Sequence, residues 1–270
     1  MSVRLSVSVV TYAPHITRLG DTLQSLFQSL AKASASGRLA EADVVLVDNG
    51  PAREWTERLN EMARCFDARL VSGHGNVGYG RGHNLVLLAS RAEFHLVLNP
   101  DVIIDEFAID EALRFMMEYP QVVILAPVVR GAKGQLQFLC RRYPSVFDFA
   151  LRGFAPERVQ HKFEARLAHY EMRELPLDKP TLGVPLLSGS FMFCRRAPIA
   201  DVGGFSESFF VYFEDYDLSL RASMKGVLAF VPQVKVTHYG GNAARKGWRH
   251  IALFVHGALV FFRRHGWRWW

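Results

Sequence analysis

The chain is poor in cysteine: Cys65, Cys140 and Cys194 are the only three in 270 residues. An odd, widely spaced set without a C-x-x-C pair excludes a disulfide framework and argues against a structural zinc site. It points to a reducing, cytosolic compartment. No apolar run reaches the ~18 residues that a membrane-spanning helix needs. No secretory leader is legible either: Val3–Val10 alternates apolar and polar residues and stops before Pro14, as a strand does. Glycine (21) and proline (12) are too few, and apolar residues at 50% too many, for a disordered chain. Acids are absent after Gly240. That segment carries Arg245, Lys246, Arg249, Arg263, Arg264 and Arg268, so residues 1–240 balance 26 bases against 26 acids and the net charge of +6 belongs to the tail. This argues against a nucleic-acid groove spread over the fold and for a local basic device at the C-terminus.

What is present is enough chain for one large domain, or two small ones, with a substantial core. The first third alternates strands and helices: strand Leu5–Thr11, helix Ile16–Ala33, strand Ala42–Val47, helix Trp55–Arg64, strand Ala68–Val71, helix Gly82–Arg91 and strand Phe94–Leu98. That spacing predicts βαβ units, a mainly parallel sheet, and a ligand at the carboxyl ends of its strands. Polar groups stand there, in Thr11-Tyr12, Asp48-Asn49 and Asn99-Pro100-Asp101. Further on, Ile109–Glu118 reads as helix, Val122–Val129 as strand, Glu157–Glu171 as helix within an irregular elaboration over 141–180, Leu186–Cys194 and Leu228–Val231 as strands, and Asp215–Lys225 as helix. No internal repeat is present.

Four motifs carry chemistry. Gly73-His74-Gly75-Asn76-Val77-Gly78 is a literal G-x-G-x-x-G, the form of a dinucleotide loop, and keeps an NAD(P)-dependent oxidoreductase in view. It follows the third strand, not the first, and the acid expected to end the next strand is missing. A plain φ > 0 turn, or a glycine loop passing close to another nucleotide with Asn76 and Asn84 as anchors, also fits. Asp101 ends an apolar strand, where a carboxylate suits a divalent metal bridging a diphosphate; Asn-Pro-Asp is equally good turn chemistry. Glu214, Asp215 and Asp217 open a helix, where acids also simply suit the helix dipole, Asp217 above all. Glu214-Asp215 follows the apolar run Phe209–Phe213, however, and desolvation there makes a carboxylate a better general base. His238 follows a strand-like segment. Alone it reads as a satisfied polar group; paired with a metal-site aspartate it becomes a candidate ligand.

Taken in order, Val9-Val10-Thr11-Tyr12, Val47-Asp48-Asn49, Asn76-Val77-Gly78-Tyr79-Gly80 with Asn84, Asn99-Pro100-Asp101, Ser188-Gly189-Ser190 before Arg195-Arg196, Gly203-Gly204-Phe205, Phe213–Leu218 and His238 resemble the inverting family 2 glycosyltransferases of GT-A fold, most closely the bacterial rhamnosyltransferase-like branch. The resemblance spans about residues 3–241. It implies a GT-A domain over 1–240, with a nucleotide-sugar half (1–105) and an acceptor half (106–240). Thr11, Tyr12, Asp48, Asn49, Asn76, Gly78, Asn84, Asn99 and Gly189 would border the donor, and Asp101 with His238 would hold a weakly bound Mg²⁺ or Mn²⁺. Asp215 would be the general base, with Glu214 as a supporting acid. The usual Asp-x-Asp metal motif is reduced here to Asn99-Pro100-Asp101, with one carboxylate. The implied reaction moves a sugar, such as L-rhamnose from dTDP-rhamnose, onto a cell-surface polysaccharide, lipopolysaccharide or lipid-linked glycan. A UDP- or GDP-sugar donor and an inactive glycan- or nucleotide-binding module are the alternatives.

The tail, 241–270, holds an apolar run Ile251–Phe262 flanked by bases and by four of the five tryptophans (Trp248, Trp267, Trp269, Trp270). That pattern suits an amphipathic helix lying in a membrane interface and a peripheral position on the inner face of the cytoplasmic membrane. A terminal helix packed on the core, or a dimer contact, would use the same residues.

Overall fold

The centre of the molecule is set by apolar strands too short to cover themselves, which pair in parallel and are roofed by helices on both faces. The structure is a computed structural model that describes residues 2–240 and 248–270. Its first half runs β1 (Val3–Thr11), α1 (Ile16–Ala35), β2 (Leu39–Asp48), α2 (Arg53–Cys65), β3 (Arg69–Val71), α3 (Tyr79–Leu87), β4 (Phe94–Leu98), β5 (Val102–Ile104), α4 (Ala108–Glu118) and β6 (Val122–Gly131). The second half runs β7 (Leu136–Gln137), β8 (Cys140–Arg141), α5 (Val146–Phe154), α6 (Glu157–Lys162), α7 (Glu164–Tyr170), β9 (Thr181–Leu182), β10 (Leu186–Leu187), β11 (Phe191–Arg195), α8 (Arg196–Asp201), α9 (Glu214–Ala222), β12 (Val227–His238) and α10 (Trp248–His265).

The main sheet has the order β3-β2-β1-β4-β11-β6-β12-β5. Six of those eight strands run one way; only β11 and β5 oppose them. This is the expected α/β sheet, parallel in the main and mixed from β11 onward. Helix α1 packs by its leucine face, with Leu19, Leu23, Leu26 and Leu30 all buried. Two serines on that face, Ser25 and Ser29, accept the backbone N–H groups of Ile104 and Ile109 and so dock β5 and the start of α4.

Several boundaries move. The helix expected over Gly82–Arg91 starts three residues earlier and ends at Leu87. The one expected over Glu157–Glu171 is two short helices parted at Phe163, whose backbone (φ −111°, ψ 22°) leaves helical geometry. The run Leu186–Cys194 is two strands separated by Ser188-Gly189-Ser190. Helix α5 and strand β5 had no clear signal in the sequence. The tail does form a helix, α10; of its basic residues, Arg245 and Lys246 lie outside the described residues. Among the described residues no helix is long and apolar enough to cross a membrane.

Candidate active site

Strand direction places the polar motifs. β1, β2 and β4 end at the same edge of the sheet, and β12, parallel to β6, ends there too. The antiparallel β11 begins at that edge, so Asn99 donates its backbone N–H to the Ser190 carbonyl at 3.0 Å. Pairing of β12 with β5 sets His238 opposite Val102, beside Asp101, and the Tyr239 N–H closes on the Asp101 carbonyl at 3.0 Å. Residues distant in sequence thus share one edge, and a cleft of about 880 Å³ opens from it, lined among others by Tyr79, Asp101, Gly189, Glu214, Asp215 and His238.

At one side of this cleft, His238 Nε2 lies 3.3 Å from Asp101 Oδ1. Gln137 reads the other ring nitrogen: its Oε1 faces His238 Nδ1 at 3.1 Å while its Nε2 donates to the His238 carbonyl at 3.2 Å. A proton on Nδ1 leaves Nε2 as a lone-pair donor turned to the carboxylate, the orientation that a metal-ligating histidine needs. Gly240 keeps the space beside them clear, since a Cβ there would collide with both Asp101 Oδ2 and His238 Nε2. One carboxylate and one imidazole fit a divalent ion that takes its remaining ligands from phosphate oxygens and water. No group of three or more His, Cys, Asp or Glu side chains that could enclose an ion occurs among the described residues.

Across the cleft stands Asp215, in the first turn of α9. Its Oδ2 accepts the Gly189 N–H at 2.9 Å and its Oδ1 the Tyr216 N–H at 2.9 Å. Burial raises its proton affinity, and those hydrogen bonds, with one from Ser188, pull it back only in part. Glu214 is 5% exposed, and its Oε2 is buried without a hydrogen-bond partner. Burial first, and the Asp215 charge second, push its carboxyl well above the usual range. The backbone leading in is strained: Tyr212 (φ 72°) and Phe213 (φ 68°) are consecutive left-handed residues. Helix α10 clamps them, with Gly257 pressed against the Phe213 ring and the Tyr212 carbonyl and His250 Nδ1 2.8 Å from the Tyr212 hydroxyl.

Tyr79 joins the two sides. Its hydroxyl lies 2.8 Å from Asn99 Oδ1 and 2.6 Å from the Gly189 carbonyl. Tyr79 lies within a sequence motif that assigns it no role, and nothing in the sequence marks one for Ser188; both line the cleft. The proposed donor residues divide. Tyr12, at the tip of β1, is exposed. Thr11 and Asn49 are buried: Thr11 donates to the Val47 carbonyl, and Asn49 ties the glycine loop down through the Gly78 carbonyl and His74. Asp48 accepts from the Gly50 N–H and the Thr56 hydroxyl. Asn76 accepts the Gly78 N–H. Asn84 points elsewhere, with both its amide atoms spent on the Phe205 backbone.

The glycine loop is not built as a dinucleotide loop. It follows β3 at the sheet edge, and Gly78 (φ 89°) is required because a Cβ would strike the Phe210 carbonyl, which accepts the next N–H, that of Tyr79.

The chain is 29% identical over 280 residues to the N-acetylglucosaminyl-diphospho-decaprenol L-rhamnosyltransferase of Mycobacterium tuberculosis, covering 98% of this chain and 86% of that protein. It is 26% identical to rhamnosyltransferase WbbL of Escherichia coli K12, over 65% of each chain. Solved structures similar in fold include the mannosyltransferase PcManGT of Pyrobaculum calidifontis with GDP-Man and Mn²⁺ (TM-score 0.62, 15% identity, 98% of this chain and 66% of that one). GalNAc-T7 with UDP, GalNAc and Mn²⁺ is another (TM-score 0.64, 15% identity, 88% of this chain and 43% of that one). The family model for glycosyl transferase family 2 matches residues 6–203. The chain belongs to glycosyl transferase family 2 and is a glycosyltransferase.

Proposed function

We propose that this enzyme transfers L-rhamnose from dTDP-rhamnose, with inversion, to a sugar hydroxyl of a lipid-linked glycan acceptor. The observation that carries the reading is one cleft holding a hydrogen-bonded, desolvated Asp215 on one wall and the Asp101–His238 pair on the other. The names of the two rhamnosyltransferase relatives support the sugar, and the mycobacterial one supports the lipid-linked acceptor.

Asp215 takes the proton of the acceptor hydroxyl as its oxygen bonds to the anomeric carbon. The bond from that carbon to the diphosphate breaks on the opposite face, and the nucleoside diphosphate leaves with the electron pair. Asp101 and His238 would hold a divalent ion, which supplies positive charge for the departing diphosphate. Gly189 N–H and Ser188 keep the Asp215 carboxylate aimed, and Tyr79 fixes the Gly189 turn against Asn99. No second carboxylic acid is needed to protonate the leaving group, unlike in glycoside hydrolysis. The tail would seat the enzyme on the cytoplasmic membrane surface where such an acceptor is presented.

Thermal-shift titration with dTDP, UDP, GDP and NADH, with and without Mn²⁺, tests the donor. Metal-dependent stabilisation by dTDP is expected. Preference for UDP or GDP would replace the donor, and stabilisation by NADH alone would overturn the reading. Asp215→Asn should lower transfer by about 10²–10⁴-fold and leave nucleotide affinity intact; full activity would remove Asp215 from the base role.

A further inference from the structure

The cleft continues past Asp215 to a wall made by β8, α5 and the end of α7. There three guanidiniums, of Arg141, Arg152 and Arg173, surround one carboxylate, Glu171. Arg173 approaches it at 2.7 Å, Arg152 at 2.9 Å and Arg141 at 3.7 Å. Burial would raise the Glu171 carboxyl, but the three arginines hold it below the usual carboxylate range. Glu164 takes a further edge of Arg173 and is half exposed, so three cations face two carboxylates and the cluster keeps a positive excess.

Arg141 stands out. It is only 4% exposed, and its Nε is buried with no hydrogen-bond partner. One Nη serves the neighbouring Cys140 carbonyl, and the guanidinium lies over the Tyr170 ring. A buried, always-charged side chain with an unused donor is costly unless an anion completes it. Planar forks of donors match phosphate oxygens in particular. The anion would not be the donor's diphosphate, whose place is at Asp101. Tyr170 and Tyr216, whose hydroxyls lie 3.2 Å apart, connect the cluster to α9, one residue after the base.

We propose that Arg141, Arg152 and Arg173 form a second diphosphate site, which grips the diphosphate of a lipid-linked acceptor and presents the attached sugar to Asp215. The assignment rests on the transfer reaction proposed above. Helix α5 adds the lipid side of the chemistry. It carries Arg152 into the cleft, while its Val146 and Phe149 share with Phe254 and Leu259 of α10 an apolar groove of about 200 Å³. Arg152 of the cleft and Val146 and Phe149 of the groove thus sit on one short helix.

The test titrates the full chain with farnesyl diphosphate in metal-free buffer, and separately with dTDP in the presence of Mn²⁺. Arg152 is half exposed, so Arg152→Gln should fold normally; Arg173→Gln is the second variant, and melting curves check both. Each should weaken farnesyl diphosphate at least tenfold and leave dTDP affinity within twofold. Unchanged farnesyl diphosphate affinity in both variants, or a parallel loss of dTDP affinity, overturns the site. Inorganic pyrophosphate binding as tightly as farnesyl diphosphate overturns the lipid-linked source. A wild-type chain that binds farnesyl diphosphate through these arginines but transfers no sugar would support the site and count against the reaction.

Discussion

Two adjacent carboxyls at the start of α9 are pushed in the same direction for related reasons. Burial raises both Glu214 and Asp215, and Glu214 has no donor for Oε2. Because both hold protons more tightly folded than unfolded, their stabilising contribution is present at low pH and lost as pH rises through the raised folded values. Glu214→Gln should therefore stabilise the protein by about 1–3 kcal/mol at neutral pH. The gain should vanish near about pH 4, where an ordinary glutamate is itself largely protonated. Unfolding midpoints measured at both pH values check this; equal gains at both would mean burial is not the cause. The same shift predicts that kcat/KM falls on the acid side at a pH above the ordinary carboxylate range, read from a pH–rate profile. At this scale much was legible. Asp101 and His238 stand past or at the ends of strands and Asp215 where a helix begins, and apolar neighbours flagged the desolvated pair. Arg141, Arg152 and Arg173 were not legible, because only the turn after α7 brings them round Glu171. Ser6 and Ser8 gave β1 its alternation, yet both are fully buried, bonded to His95 and to His83 and His95. Burial pushes His95 down to about 3, so it stays neutral inside the sheet.

Asp217 shows what element packing adds. In the sequence it is the third acid of a helix start, well suited to the dipole. In the fold it is fully buried and anchors α10: Arg264 lies 3.0 Å and His265 2.9 Å from its Oδ1, and Arg221 2.7 Å from Oδ2. Those tail partners are more than forty residues away in sequence, beyond any local pattern. Asp217→Ala should cost about 2–3 kcal/mol, less than the ~3–5 kcal/mol of a fully buried pair because Arg264 remains partly exposed. Urea unfolding measures the loss. Limited proteolysis should cut the variant in α10 first, and uniform cleavage would mean that the helix is held by its apolar face alone. That face is real: Phe261 and Phe262 are buried among Phe149, Phe213 and Tyr216.

For the whole molecule, α10 has two sides. While Phe261 packs inward, Trp248, Ile251, Val255 and Leu259 are exposed, as are Trp267, Trp269 and Trp270 beyond the helix. Arg249, Arg263 and Arg268 are exposed with them. The core-packing and interfacial uses of the tail are therefore compatible in one helix, which the sequence had set against each other. Anionic vesicles should sediment the protein, less so as salt rises. Ile251→Glu combined with Leu259→Glu should reduce the bound fraction at least tenfold; undiminished binding would remove the tail from the membrane.

The clamp of Gly257 on Tyr212 and Phe213 gives this helix a second consequence. Two residues in an unfavourable backbone state lead into α9, which carries the proposed base Asp215, and they are held there by an element that also faces outward. The seating of α10 and readiness for chemistry are then coupled: a chain shortened before α10 should still capture its nucleotide, read by thermal shift, but transfer slowly, because nothing would hold Tyr212 and Phe213 in that state.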